Sequence, residues 1–175
     1  MMRRNCRNYI LTMKRVVDNF LSKQEHQNLL EYIKKIQWTY YTITDDDNDL
    51  PKVDNYQFGC EVFDSNITYD RQLVNLFSSY LKPLSWGRIK INFQPKMAKV
   101  RENKLHIDIP YGDWTSVYYV NDNDGYTFFG DGSKVESRSN RMVIFPRNTL
   151  HSGTTSTTDH RYVINFNWFG PEYKR

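Results

Sequence analysis

Four histidines occur in the 175 residues: His26, His106, His151 and His160. His106 stands in Leu105-His106-Ile107-Asp108-Ile109, which alternates as a strand would, so that His106 and Asp108 share one face and Ile107 and Ile109 the other. An imidazole and a carboxylate one pleat apart can both reach a single metal ion. With four His and fourteen Asp in the chain, a His-x-Asp arises by chance roughly one time in three, so the spacing alone decides little. His151 adds weight, because it follows the strand-like run Arg141-Met142-Val143-Ile144-Phe145-Pro146 and precedes a Ser-Gly turn, where a third ligand can fold back. Two His and one carboxylate leave open positions on one side of a metal, the arrangement of non-haem Fe(II) oxygenases rather than of closed structural zinc. Arg161, at the start of the last strand-like run, can meet a ligand carboxylate bidentately at the far end of a pocket. His26, among polar helix residues, reads as a solvated surface histidine, and His160 as an exposed neighbour of Arg161 with no metal role.

These side chains need a scaffold, and the sequence divides at about residue 88. Ser22-Lys23-Gln24-Glu25 has the form of a capping box, and Leu29, Leu30, Ile33 and Ile36 continue at helical spacing, which predicts an amphipathic helix from Lys23 to Gln37. A second helix is predicted from Asp70 to Lys82, with Pro83 past its end. Between them, Trp38 to Thr44 and Tyr56 to Phe63 are strand-like, separated by the acidic run Asp45 to Asp49, read as a solvated loop. From Arg88 onward short β-type runs follow one another: Arg88 to Phe93, Thr115 to Val120, Tyr126 to Phe129, Arg141 to Phe145 and Arg161 to Trp168. Strands divided by turns with little helix between them predict an antiparallel sandwich or barrel, with the two helices against the outside of one sheet.

Composition bounds the function. The length suits one domain, divided here into a basic, loosely ordered arm over 1–15, helical and strand support over 16–87, and a β core over 88–170. No run approaches the ~18 apolar residues of a membrane helix, which predicts a soluble, cytoplasmic protein. Cys6 and Cys60 lack the paired spacing of a zinc site and read as reduced thiols. The net charge of +4 is exceeded by Arg3, Arg4, Arg7, Lys14 and Arg15 alone, which speaks against a nucleic-acid partner. The 13 Tyr, 10 Phe and 4 Trp lead us to expect aromatic lining in a pocket, with Trp114 and Trp168 as candidates for its mouth or equally for the core.

The order of blocks resembles a known family. His106-x-Asp108, then Val117-Tyr118-Tyr119-Val120-Asn121-Asp122, Asp124-Gly125-Tyr126-Thr127, Val143-Ile144-Phe145-Pro146, His151 and Arg161-Tyr162-Val163-Ile164-Asn165-Phe166 are similar to the 2-oxoglutarate/Fe(II)-dependent oxygenases of the prolyl 4-hydroxylase-like group, in the short form carried by tailed phages. The resemblance implies a mainly β double-stranded β-helix, the jelly-roll or cupin-like barrel, with the N-terminal helices packed on one sheet. It implies Fe(II) held by His106, Asp108 and His151, and 2-oxoglutarate paired through its distal carboxylate with Arg161. Tyr119 falls where relatives place a tyrosine that hydrogen-bonds that carboxylate, and Thr127 where the family pattern places a threonine facing into the barrel. By strand parity Asn165 shares the face of Arg161 and approaches the metal end. The family's tyrosine before the first ligand corresponds to Phe93 here, or is displaced by the long segment Gln94 to Lys104. The implied reaction uses O2, with ascorbate supportive, to hydroxylate a C–H of a prolyl or other residue in a protein or peptide, or of a small molecule, releasing succinate and CO2. If the chain is viral, its place is the host cytoplasm. Two other readings remain: an AlkB-type nucleic-acid demethylase, whose second arginine is Asn167 here, and an inactive jelly-roll binding protein. Neither the substrate nor the oligomeric state is legible.

Overall fold

Residues 14–42 and 56–174 are described by a computed structural model. In chain order they form β1 (Arg15–Val17), α1 (Lys23–Ile33), β2 (Thr39–Thr42), β3 (Tyr56–Asp64), β4 (Ile67–Thr68), α2 (Arg71–Leu81), β5 (Ser85–Gln94), β6 (Trp114–Tyr119), β7 (Tyr126–Phe129), β8 (Lys134–Glu136), β9 (Arg141–Pro146), β10 (His151–Gly153) and β11 (Arg161–Phe169). The described residues are mainly β, with two helices and two antiparallel sheets. The larger sheet runs β1-β9-β6-β11-β5-β3-β2 with β4 paired to β3, and the smaller runs β10-β7-β8.

The alternation in the strands divides the interior into two apolar clusters. On β11, Ile164, Phe166 and Trp168 join Tyr118, Met142 and Ile144 in a cluster that includes Leu29 and Ile33 of α1 and Leu73, Phe77 and Leu81 of α2. The Phe77 ring lies 5.3 Å from Tyr118 and 4.5 Å from Phe166. The opposite parity places Val117, Tyr119, Val143, Phe145 and Val163 with Phe129 of the smaller sheet. The central strands β6, β9, β11 and β5 are thus apolar toward the helices, while toward the smaller sheet β6 and β9 bring apolar side chains and β5 only polar ones, Arg88, Lys90, Asn92 and Gln94.

Local chemistry sets the helix ends. The Ser22 hydroxyl accepts from the Glu25 N–H at 3.3 Å while Glu25 accepts from the Ser22 N–H at 3.1 Å, a capping box at the start of α1. Asp70 caps α2 by accepting from the Leu73 N–H at 3.1 Å, and Lys82 ends it with φ 50°. Helix α1 stops at Ile33, short of the expected Gln37, because the chain must turn there for Trp38 to lie against Phe93 and Tyr162, 5.3 and 5.8 Å between centroids.

Three expectations are corrected. Leu105–Ile109 forms no strand; His106 makes an isolated bridge with His151, their backbone bonds at 2.9 and 3.1 Å, because the segment meets β10 only at that residue. The arm expected to be loose over 1–15 is docked at its end: Arg15 begins β1 against β9, its guanidinium donates to the Tyr173 carbonyl at 2.7 Å, and Lys14 pairs with Asp131. His26 is no solvated residue; its Nδ1 lies 2.6 Å from the Tyr118 hydroxyl and its Nε2 2.8 Å from that of Ser139. Residues 1–13, including Cys6, and the acidic run Asp45 to Asp49 lie outside the described residues. No helix among the described residues is long and apolar enough to cross a membrane.

Candidate metal centre

His151 projects from β10, an edge strand of the smaller sheet, and His106 and Asp108 come from the segment bridged to it. Asp108 Oδ1 lies 3.3 Å from His106 Nε2 and 3.4 Å from His151 Nε2. One donor atom from each of the three residues falls within 4.8 Å of the others. The Asp108 and His151 side chains are buried at 7% and 4% exposure, whereas His106 is open at 51%.

Both imidazoles are held by their other nitrogen. His106 Nδ1 is 3.0 Å from the Lys104 carbonyl and His151 Nδ1 is 3.0 Å from the Thr149 carbonyl. A carbonyl only accepts, so each Nδ1 carries a proton, and Nε2 is the atom of each ring that faces the shared space and would offer a metal its lone pair once deprotonated. Asp108 is held likewise: its Oδ2 accepts from Asn167 Nδ2 at 3.3 Å, and Asn167 is itself fixed by a 2.9 Å bond to Thr115 Oγ1. Burial works to raise the Asp108 carboxyl, but the hydrogen bonds from His106 and His151 outweigh it and hold the group below the usual carboxylate range. Two neutral imidazoles and one carboxylate, with open space on one side, suit a divalent metal that keeps exchangeable positions.

Beside the triad lies a cavity of about 380 Å³ whose walls include His106, His151, Thr127, Arg161, Val163 and Asn165. Arg161 is 6% exposed, and its Nε donates to Ser137 Oγ at 3.1 Å. No carboxylate among the described residues pairs with it, and burial pushes its pKa down. A buried guanidinium without a counter-ion is costly unless a ligand supplies one. The Tyr119 ring stands 5.8 Å from the guanidinium, and its hydroxyl, pushed up to about 12 by burial, donates to Thr127 Oγ1 at 2.7 Å. Glycines make room for the long side chain. A Cβ at Gly125 would stand 2.9 Å from Arg161 Cδ, and one at Gly153 would stand 3.2 Å from a terminal guanidinium nitrogen.

All seven residues singled out by sequence therefore gather at one place: His106, His151, Thr127, Arg161 and Asn165 on the cavity wall, Asp108 on its adjoining lobe, and Tyr119 behind Thr127. Phe93 does not face this space; it packs against Trp38, Phe58 and Tyr162 on the helix side. Gln94 faces the cavity instead, with its Nε2 buried and unpartnered. The expected aromatic lining is also absent: no Phe, Tyr or Trp among the described residues lines this cavity. Trp168 is buried in the helix-side cluster and Trp114 packs against it, donating to the Gly170 carbonyl at 3.1 Å, because strand parity turns these two rings toward the helices. Sequence reading gave no role to Asn92, Gln94 or Asn167. Their places at period two along β5 and β11 were the available signal.

Neither a protein-family model nor a curated protein matches this sequence. Solved structures do match its architecture. An oxidoreductase of the 2OG-Fe(II) oxygenase family from Burkholderia pseudomallei superposes with a TM-score of 0.65 at 10% identity, covering 89% of this chain and 84% of that one. This chain has the fold of the 2-oxoglutarate/Fe(II) oxygenases. A prolyl hydroxylase from Trichoplax adhaerens, solved with a hypoxia-inducible-factor peptide, gives 0.62 at 12% identity over 91% and 84% of the two chains. HygX from Streptomyces hygroscopicus, solved with nickel and 2-oxoglutarate, gives 0.54 at 13% identity over 93% and 84%. In this fold the His-Asp-His cluster and the buried Arg161 open onto the same space.

Proposed function

We propose that the protein is a 2-oxoglutarate- and Fe(II)-dependent dioxygenase that hydroxylates a C–H bond. The observation that carries this reading is the joint placement, around one cavity, of the His106, Asp108 and His151 donors and the buried Arg161, which has no counter-ion among the described residues. When bound, the metal would supply the oxidising chemistry, in which R–H, O2 and 2-oxoglutarate give R–OH, succinate and CO2. The chain's own residues bind and orient. Asp108 and His151 offer buried donors, with His106 completing the set from the exposed side. Arg161 supplies the charge for the distal carboxylate of 2-oxoglutarate. Tyr119 and Thr127 supply hydroxyls beside that charge, and Asn165 brings a buried, unpartnered carboxamide oxygen toward the same space. The peptide bound to the Trichoplax prolyl hydroxylase supports a peptide residue as one substrate class.

Purified protein with Fe(II) and ascorbate will convert 2-oxoglutarate slowly to succinate even without a second substrate, and Asp108→Ala will abolish this. In a parallel binding measurement, 2-oxoglutarate with Mn(II) in place of iron will raise the melting temperature of the wild type. If the wild type neither binds 2-oxoglutarate nor is stabilised by it in the presence of metal, the reading is wrong.

A further inference from the structure

A second, smaller lobe of about 140 Å³ adjoins the cavity and shares with it Gln57, Asn92, His106 and Asn165. The lobe adds Arg88, Lys90, Asp108 and Asn167 to those walls, so every described residue lining it is polar. Its volume lies below the ~300–1,000 Å³ of sites that enclose a whole drug-sized ligand. It suits one functional group of a molecule that reaches the metal edge.

Its two cations share one ion-paired carboxylate. Arg88 and Lys90 share one carboxylate, Glu61, at 3.1 and 3.4 Å. Asp64 and Asp108 act on Arg88 at longer range, whereas the one carboxylate paired with Lys90 among the described residues is the Glu61 it shares with Arg88. The Lys90 side chain is only 13% exposed, its ammonium 4.0 Å from the Tyr41 ring centroid. Gly59 leaves it space, since a Cβ there would stand 2.7 Å from Lys90 Cε. Asn92 presents a buried Oδ1 with no partner, and Gln57 reaches in from β3. A buried polar group left unpaired costs about 1–3 kcal/mol, so this surface rejects an apolar ring and favours a ligand that completes its hydrogen bonds.

Resting on the dioxygenase reading, we propose that this lobe is the substrate subsite and that it takes a carboxylate-bearing polar group rather than a prolyl ring. The substrate carboxylate pairs with Lys90, Gln57 and Asn92 bond its polar edge, and the C–H to be hydroxylated lies toward His106 and Asp108. The acid is either a free amino acid or an acidic side chain on a peptide.

The test measures succinate formation and mass gain with free aspartate, free glutamate, the blocked tripeptides Ala-Asp-Ala and Ala-Glu-Ala, and blocked Ala-Pro-Ala. An acidic probe will accelerate 2-oxoglutarate consumption and gain one oxygen atom, and the free and peptide arms tell the two sources apart. Lys90→Met will raise the half-saturating concentration of that probe at least about tenfold, and Lys90→Arg will restore most of it. Should Lys90→Met not fold, Gln57→Ala reads the same concentration dependence. Stimulation by the prolyl peptide alone, stimulation by none of these probes in a wild type that turns over 2-oxoglutarate, or an unchanged half-saturation in the variants overturns the substrate proposal. A wild type with no 2-oxoglutarate turnover overturns instead the reading on which it rests.

Discussion

Asp108 divides its two oxygens between tasks: Oδ1 faces both imidazoles and Oδ2 is tied to Asn167. A carboxylate free to rotate would present either oxygen, so Asn167 is a positioning residue that fixes which one is offered. Asn167→Ala will weaken Mn(II) binding about 10- to 100-fold in a fluorescence or calorimetric titration, while the fold, read by circular dichroism, stays intact. Unchanged metal affinity would remove that role from Asn167. The three donors were legible because His-x-Asp, a later His and an Arg followed one another in a telling order. The Asn167 contact was not, because it joins residues 59 apart through a sheet register that no local pattern encodes. For the same reason His26 read as a surface residue: its partners Tyr118 and Ser139 lie 92 and 113 residues away.

At the level of elements, the strands that carry the site were readable within a residue or so. Thr115 to Val120 and Arg161 to Trp168 were expected, and Trp114–Tyr119 and Arg161–Phe169 are found. The period-two pattern there is strong because one side of each strand meets the helices. Short strands such as β1 and β8 left no such trace, since three residues hold too little alternation to register and their pairing depends on distant partners. The link between β7 and β11 yields a prediction. Gly125→Ala places a methyl group 2.9 Å from Arg161 Cδ and 3.0 Å from the Thr155 carbonyl, closer than either can tolerate, so Arg161 must shift. The half-saturating 2-oxoglutarate concentration will rise by about tenfold or more, with metal affinity retained. On the supporting side, Asp70 caps α2 and also accepts from the Tyr32 hydroxyl of α1. Asp70→Ala will cost about 1–2 kcal/mol of stability in urea unfolding, with Asp70→Asn recovering part of it.

Across the whole molecule, the larger sheet separates a helix-backed apolar cluster from a chamber with polar walls, and one hydrogen-bonded chain ties α1 to that sheet. Ser139, His26, Tyr118 and Asn140 are linked in sequence, and Asn140 donates to the Leu21 carbonyl at 2.9 Å. Burial holds His26 below its ordinary value of 6.5, so the unfolded chain takes up a proton that the folded chain resists. Stability from this group is present above 6.5 and is lost as pH falls toward the depressed folded value. The melting-temperature advantage of the wild type over His26→Gln will therefore narrow between about pH 7.5 and pH 5.5; a constant gap would show that His26 does not titrate on unfolding. Arg161 sets a second dependence, on supply rather than on acidity. Its buried charge has no internal counter-ion among the described residues, so on the proposed reading a bound dicarboxylate stabilises the folded chain by linkage. A cell short of that metabolite would then hold more of this polypeptide in opened, protease-sensitive form, and its abundance would track carbon status without any change in its synthesis.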